Sequence, residues 1–350
     1  MMQRHTDSLK EDAPAKQSAG PAVDPRIAVT VLTGFLGSGK TTLLNRLVRD
    51  PAYADAAVIV NELGEVGVDH HLVRHADGRV AVIEGGCICC TVNGGLVDTL
   101  RDLFMLSLRR QIKPFRRVLI ETTGLAAPAA ILFSLRHERF LAERYIYGGT
   151  LTVIDVRHIR RQLLDQPEAL QQVALADVVA CAKADLAGPG ELAAARQAVA
   201  QVNPAAAQCV VWPGVEPDRR LFGLAPARRE PGALGRWLGA FASAAAGRHP
   251  QVRHTVLTLP GPVSRAAFLT GMARVLEVHH RGLLRMKGLV RLQDEGGPSV
   301  AHAVHRDLYP LEPLDAWPDG QPQTRLVFIL RELDPDAVAG AVRQALGQPA

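Results

Sequence analysis

A glycine-rich segment between two apolar runs constrains this chain more than any other feature. Residues 27–32 form the first apolar run, residues 34–42 read GFLGSGKTT, and the helix-forming run LLNRLV follows at 43–48. A strand, a glycine-rich turn and a helix in this order are typical of a phosphate-binding loop. We therefore predict a nucleotide site here in preference to a chance glycine-rich turn.

Each residue type in this segment suits polyphosphate binding. The glycines let consecutive backbone N–H groups turn toward a phosphate, and the start of the following helix adds partial positive charge. We expect Lys40 to reach the β- and γ-phosphate oxygens and Thr41 to offer its hydroxyl to Mg²⁺. The predicted nucleotide-binding residues of the segment are Gly34, Gly37, Ser38, Gly39, Lys40, Thr41 and Thr42.

The composition is that of a globular protein. With 350 residues the chain is long enough for two domains, and its 47% of hydrophobic residues excludes wholesale disorder. No apolar run reaches membrane-spanning length, and residues 1–25 are polar without the apolar core of a signal peptide, so we expect a disordered extension on a cytoplasmic protein. No basic block is interleaved with aromatic residues, which argues against a nucleic-acid partner.

Apolar runs alternate with helical patterns after the glycine-rich segment. The runs predicted to be strands lie at 57–60, 80–83, 118–120, 151–154, 178–181 and 210–212. Residues 96–110 carry apolar side chains at helical spacing on one face, which ends at Leu108. This alternation predicts an α/β domain over residues 26–225, with a mainly parallel sheet flanked by helices.

The pattern changes in the C-terminal part of the chain. A stretch rich in proline, glycine and arginine predicts a linker at 226–250. Beyond it, strand-like patterns occur at 254–259, 288–292 and 325–330, and helical patterns occur at 262–278 and from Pro335. We predict a smaller α+β domain over residues 251–346.

An acidic residue at the end of a predicted strand is the next candidate for nucleotide chemistry. Residues 119–124 read LIETTG, so Glu121 ends the strand. We expect Glu121 to hold Mg²⁺ or to orient water, and Gly124 to let the backbone approach the γ-phosphate and move when that phosphate leaves. The alternative is that Glu121 only caps the following helix.

Lys183 and Asp185 follow another predicted strand, where a guanine-recognition loop normally lies. The Asp185 carboxylate can accept hydrogen bonds from the N1–H and amino groups of guanine, which adenine does not present, while the Lys183 stem stacks on the base. This pattern favours GTP. Ala182 occupies the position of the usual bracing asparagine, and Lys-x-Asp alone also fits a solvent-exposed turn.

Three of the five cysteines, Cys87, Cys89 and Cys90, fall within four positions. Disulfide frameworks do not use this spacing, whereas thiolates suit zinc, copper(I) or nickel. We expect Cys89 with Cys87 or Cys90 to bind one ion, with Glu65 and His137 as candidates to complete the shell. The alternatives are buried small side chains, a dithiol redox site and, for His137, a solvated surface position.

Four motifs thus stand in fixed order: residues 34–42, GCICC at 86–90, ETTG at 121–124, and Lys183 with Asp185. Together they resemble the CobW family of P-loop GTPases, relatives of the GTPases that assist nickel insertion into urease and hydrogenase. The similarity runs from about residue 27 through nearly the whole chain. It also includes residues 61–69, 284–288, 325–329 and Trp317.

The resemblance implies a metallochaperone that hydrolyses GTP to GDP and couples hydrolysis to the transfer of a metal ion. It implies Zn²⁺, with Co²⁺ or Ni²⁺ as alternatives, and places Glu65 and the cysteines at the matching metal positions. Lys40, Thr41 and Glu121 would be the catalytic residues. The recipient would be an unidentified client metalloprotein, and a partner or a homodimer would supply the catalytic groups that the motifs lack.

Other functions are compatible with the same motifs. A nucleotide-gated metal sensor or buffer with negligible turnover, a cobalt-handling protein of cobalamin biosynthesis and an ATP-using small-molecule kinase would each need a phosphate-binding loop. The C-terminal domain has no long histidine tract. We expect its scattered histidines to be structural or solvated, and they are His279, His280, His302 and His305.

Overall fold

A computed structural model describes residues 25–60, 82–84, 94–221, 235–236, 238–241, 249–293, 295–318 and 320–348. Within these residues the chain forms a parallel sheet flanked by helices, followed by a smaller antiparallel sheet with its own helices. The predicted fold class, an α/β domain followed by an α+β domain, is confirmed. None of the helices in this part of the chain is long and apolar enough to cross a membrane.

In the described part of the chain the first sheet has seven strands, all parallel, in the order β3-β2-β4-β1-β5-β6-β7. The central strands are buried along almost their whole length, as expected for strands covered on both faces. The strands are β1 (Ile27–Thr33), β2 (Ala56–Val60), β3 (Val82–Glu84), β4 (Arg117–Glu121), β5 (Tyr145–Asp155), β6 (Val178–Ala182) and β7 (Ala207–Val210).

Helices connect these strands. They are α1 (Lys40–Leu47), α2 (Gly94–Leu108), α3 (Pro128–His137), α4 (Arg139–Arg144), α5 (Ile159–Asp165), α6 (Pro167–Leu175) and α7 (Glu191–Val202). On α2, Leu100 and Leu103 are buried as predicted, but Leu108 is 66% exposed because the helix ends at that residue. The last parallel strand was predicted at 210–212. It ends at Val210, because the chain has already left the sheet at Trp212.

The second sheet is antiparallel, with the order β11-β10-β9-β13-β8. The sequence pattern did not predict β10, because it begins with a proline and is buried throughout, without polar alternation. The strands are β8 (Val252–Leu259), β9 (Leu283–Arg291), β10 (Pro298–Val304), β11 (Asp307–Leu308), β12 (Glu312–Pro313) and β13 (Thr324–Arg331), and the helices are α8 (Arg265–His279) and α9 (Pro335–Ala345).

A buried ion pair joins the two sheets. Arg285 of β9, 1% exposed as a side chain, lies 2.7 Å from Asp177, which precedes β6. It also donates hydrogen bonds to the carbonyls of Leu175 and Ala176, at 3.0 and 3.1 Å. Burial alone would raise the pKa of Asp177, but the positive charges of Arg285 and Lys287 outweigh burial and hold this pKa well below its ordinary range.

Candidate nucleotide site

The glycine-rich segment forms the turn between β1 and α1. Gly39, directly before α1, has φ +102°, in the left-handed region that favours glycine. Lys40 is the first residue of the helix, and its Nζ lies 3.3 Å from the carbonyl oxygen of Phe35, folded back over the turn. The other predicted residues lie in this turn or in the first turn of α1, and they are Gly34, Gly37, Ser38, Thr41 and Thr42.

A cavity of about 460 Å³ lies at the carboxyl ends of the parallel strands. It is lined by the glycine-rich segment, by residues 121–125 after β4 and by Lys183 after β6. Open parallel sheets bind ligands at this edge, because the loops that follow neighbouring strands converge there. The structure therefore brings together residues of three of the four motifs.

Thr41 and Glu121 are in direct contact. The Thr41 hydroxyl donates a hydrogen bond of 2.6 Å to Glu121 Oε1, and Glu121 is 4% exposed at the end of β4. Glu121 does not cap the next helix, which begins at Pro128 with Ala127 as its N-cap. A hydroxyl and a carboxylate oxygen are ligands that Mg²⁺ accepts together with water and phosphate oxygens, so the pair fits a bound Mg²⁺.

Gly124 packs directly against the glycine-rich segment. A Cβ at this position would lie 2.6 Å from the backbone nitrogen of Leu36 and 2.7 Å from its Cα. A larger residue would therefore push the two segments apart. The neighbouring Thr122 hydroxyl donates to the Thr33 hydroxyl at 2.9 Å, which ties the segment after β4 to the end of β1.

Lys183 spans two loops of the site. Its Nζ donates to the carbonyl oxygen of Gly37 and lies 2.8 Å from Asp155 Oδ2. Asp185 is exposed in the short 3₁₀ turn Ala184–Leu186, on the side chain's solvent face. The predicted base-recognition residues thus follow β6, beside the glycine-rich segment.

Sequence reasoning missed Asp155, the last residue of β5. Its side chain is 5% exposed and pairs with Lys183, with Arg157 at 3.1 Å and with His158 at 3.1 Å. Burial raises the pKa of Asp155, but hydrogen bonds from Arg157, Lys183 and His158 outweigh it and leave this pKa well below its ordinary range. The available signal was a carboxylate ending an apolar run, the same signal that identified Glu121.

The predicted metal ligands are divided by the structure. Glu65, Cys87, Cys89 and Cys90 lie outside the described residues. His137 ends α3, where its Nε2 lies 3.4 Å from Asp307 of β11 and its ring contacts Phe133, away from the cavity-lining residues. Its role as a ligand stays a prediction.

No group of three histidine, cysteine or acidic side chains that could hold a metal ion occurs within the ranges that the structure describes. The other two cysteines, Cys181 and Cys209, are buried. His302 is also buried, between the rings of Tyr147 and Tyr309, with ring centroids 6.1 and 5.0 Å away. This position agrees with the structural role expected of the C-terminal histidines.

Comparison with known protein families decides the relationship. The family model of the CobW/HypB/UreG nucleotide-binding domain matches residues 28–210, and that of the cobalamin synthesis protein CobW C-terminal domain matches residues 252–346. The chain belongs to the CobW/HypB/UreG family. The family membership predicted from the four motifs is therefore confirmed, and with it the assignment of the first domain as a P-loop nucleotide-binding domain.

Individual members of the CobW/HypB/UreG family resemble the chain over nearly its whole length. The zinc chaperone YjiA of Escherichia coli (strain K12) is 31% identical over 315 residues, which cover 90% of this chain and 97% of that protein. The zinc chaperone CobW of Pseudomonas aeruginosa is 30% identical, with 92% of each chain covered. The crystal structure of Zn(II)-bound YjiA GTPase from E. coli covers 91% of this chain and 99% of its own, with a TM-score of 0.62 and 26% identity.

Proposed function

We propose that this protein is a GTP-hydrolysing metallochaperone that couples hydrolysis to the binding and transfer of Zn²⁺. The observation that carries the nucleotide part is the contact of Thr41 with Glu121 at the mouth of the phosphate-loop cavity. This contact joins the residue predicted to bind Mg²⁺ to the acidic residue predicted to act in hydrolysis.

Each residue of the cavity has a proposed part in hydrolysis. Lys40 and the backbone N–H groups at the start of α1 bind the phosphates and stabilise the charge of the transferred group. Thr41 and Glu121 hold Mg²⁺, which when bound neutralises charge on the β- and γ-phosphate oxygens. Lys183 and Asp185 select guanine, with Asp155 fixing the Lys183 ammonium.

The metal part is supported by the relatives and by the chemistry of the cysteine motif. Both relatives named above are zinc chaperones, and a zinc-regulated GTPase metalloprotein activator of Schizosaccharomyces pombe is 31% identical over 188 residues. A Zn(II)-bound YjiA triple mutant lacks one glutamate and two consecutive cysteines, residue types that this chain carries as Glu65, Cys89 and Cys90. Thiolates with a carboxylate suit Zn²⁺ as cargo.

The topology of the sheet supports coupling between the two sites. Glu121 is the register partner of Val60, and Val60 is the partner of Glu84. Residues 61–81, which include Glu65, continue from Val60, and residues 85–93, which include the cysteines, continue from Glu84. Both metal-ligand segments therefore leave the sheet at the edge that carries Glu121, where nucleotide chemistry can bias them.

Steady-state phosphate release tests this proposal. We expect release from GTP to exceed release from ATP and to change when stoichiometric Zn²⁺ is added. Lys40→Ala should abolish nucleotide binding, and the matched control Lys113→Ala, at an exposed lysine before β4, should behave as the wild type. Background-level release that ignores Zn²⁺ would contradict the proposal and favour a metal sensor. Preference for ATP would favour a kinase.

A further inference from the structure

A buried glutamine on α6 contacts the nucleotide site from behind. Gln172 is 1% exposed, and its Nε2 donates hydrogen bonds to the carbonyl oxygens of Gly124 and Ala126, at 3.1 and 3.3 Å. These two carbonyls belong to the turn that connects Glu121 to α3. The glutamine does not line the cavity itself.

The contacts fix which end of the amide faces the turn. Both receiving atoms are carbonyl oxygens, which only accept hydrogen bonds, so the amide nitrogen of Gln172 must point toward them. A turn with two carbonyls aimed into the protein needs such a donor, because unpaired buried carbonyls cost free energy. Gln172 therefore holds the side of the turn opposite to the glycine-rich segment.

Helix α6 is itself anchored at several points. The Thr152 hydroxyl of β5 donates to the backbone carbonyl of Gln172 at 2.9 Å. At the end of the helix, the Asn203 amide donates to the carbonyls of Val173 and Ala174, and Arg285 donates to that of Leu175. These donors satisfy the last carbonyls of the helix, which would otherwise lack partners. Gln172 is thus presented from a rigid element.

We propose that Gln172 is a positioning residue for GTP hydrolysis, an inference that rests on the proposed function. Its amide clamps the 122–126 turn so that Gly124 stays against Leu36 and Glu121 stays beside Thr41. The residue does not contact the nucleotide. Loss of its two N–H donors frees the turn, and hydrolysis then suffers more than nucleotide binding, because the reacting groups lose their alignment.

The test compares Gln172→Met, which keeps the volume but removes both donors, with the wild type. We expect kcat for GTP to fall roughly 10- to 100-fold, with the dissociation constant for GDP changed by less than about threefold. In the nucleotide-free protein, we expect faster amide hydrogen exchange of Ala126, whose N–H bonds to the Thr123 carbonyl at 3.1 Å. Gln172→Asn, which stays polar but is one methylene shorter, should show the same direction.

Asn203→Leu is the matched control, because it removes a buried amide from the same helix without contacting the turn. Equal losses of kcat in Gln172→Met and Asn203→Leu would overturn the inference, since both would then report only the stability of α6. Unchanged kcat and unchanged exchange in Gln172→Met would overturn it as well. If the wild type itself releases no phosphate, the proposed function fails, and the exchange of Ala126 alone decides whether Gln172 clamps the turn.

Discussion

Thr41 and Glu121, 80 positions apart in the chain, share a hydrogen bond of 2.6 Å between hydroxyl and carboxylate. One side chain starts the helix after the phosphate loop, and the other ends the neighbouring strand β4. The bond is made in the protein alone, so the oxygen ligands proposed for Mg²⁺ are assembled before any nucleotide arrives.

Replacing Glu121 should separate binding from hydrolysis. For Glu121→Ala we expect nucleotide binding to persist and phosphate release to fall by about 100-fold or more, since a buried group in contact with Thr41 is lost from the reacting edge. Fluorescent GDP titration and single-turnover phosphate release measure the two quantities. Glu143→Ala, at an exposed glutamate paired with arginines, serves as the control. Unchanged turnover would remove Glu121 from the mechanism.

The close approach of Gly124 to Leu36 should not tolerate a methyl group. Gly124→Ala would place Cβ 2.6 Å from the Leu36 backbone, so the two segments must separate. We expect phosphate release to fall at least tenfold, because a shift of about 1 Å in a catalytic segment costs up to roughly 100-fold. In the control Gly340→Ala, on α9, nothing lies within 4 Å, and we expect wild-type turnover with stability unchanged or raised by up to about 1 kcal/mol. Wild-type turnover in both variants would show that the segments can separate without effect.

Asp155 should act on guanine recognition through Lys183. In Asp155→Asn the ammonium loses a charged acceptor at 2.8 Å, which costs about 1.5 kcal/mol and so weakens GTP binding roughly tenfold. ATP affinity should change less, so the ratio of the two affinities falls. Competition titrations measure this ratio. Asp165→Asn, in a surface pair with Arg161, is the control, and an unaltered ratio in Asp155→Asn would refute the bracing role.

The ion pair of Asp177 with Arg285 should dominate the pH dependence of stability. Because the folded pKa of Asp177 lies below its unfolded value, the pair stabilises the protein above the ordinary carboxyl range, and this contribution is lost as pH falls through that range. The urea midpoint should therefore drop on acidification, and less so in Asp177→Asn.

At neutral pH, Asp177→Asn should cost about 3–5 kcal/mol, since it leaves Arg285 as a buried, unpaired charge. The matched control is Glu295→Gln, which breaks the more exposed pair with Arg265 and should cost less than about 1 kcal/mol. Equal urea midpoints for the two variants would contradict the account of the interface.

Much of the nucleotide site was predictable from sequence, because its residues occupy fixed places at strand ends. Lys40, Thr41 and Glu121 each follow an apolar run directly, and the parallel topology brings those ends together. Asp155 ends a strand in the same way, but no motif marked it. Gln172 was not predictable, since nothing in a helical sequence shows which carbonyls a buried amide will face.

The second sheet was harder to predict from local patterns. Strand β10 is buried along its length, so it lacks the alternation that marks β8. Arg285 belonged to a stretch recognised by resemblance alone, and its burial against Asp177 appears only when two distant segments are packed together. A charged residue at the centre of an interface carries no local signal of its partner.

The most direct test of the account is the dissociation constant of Zn²⁺ measured twice on the same protein. One titration uses the protein loaded with GDP, and the other uses a slowly hydrolysed GTP analogue. Because metal and nucleotide affinities must be coupled reciprocally, we predict that the two constants differ by about fivefold or more, and that Cys89→Ser with Cys90→Ser abolishes tight binding in both. Identical constants in the two nucleotide states would contradict the account.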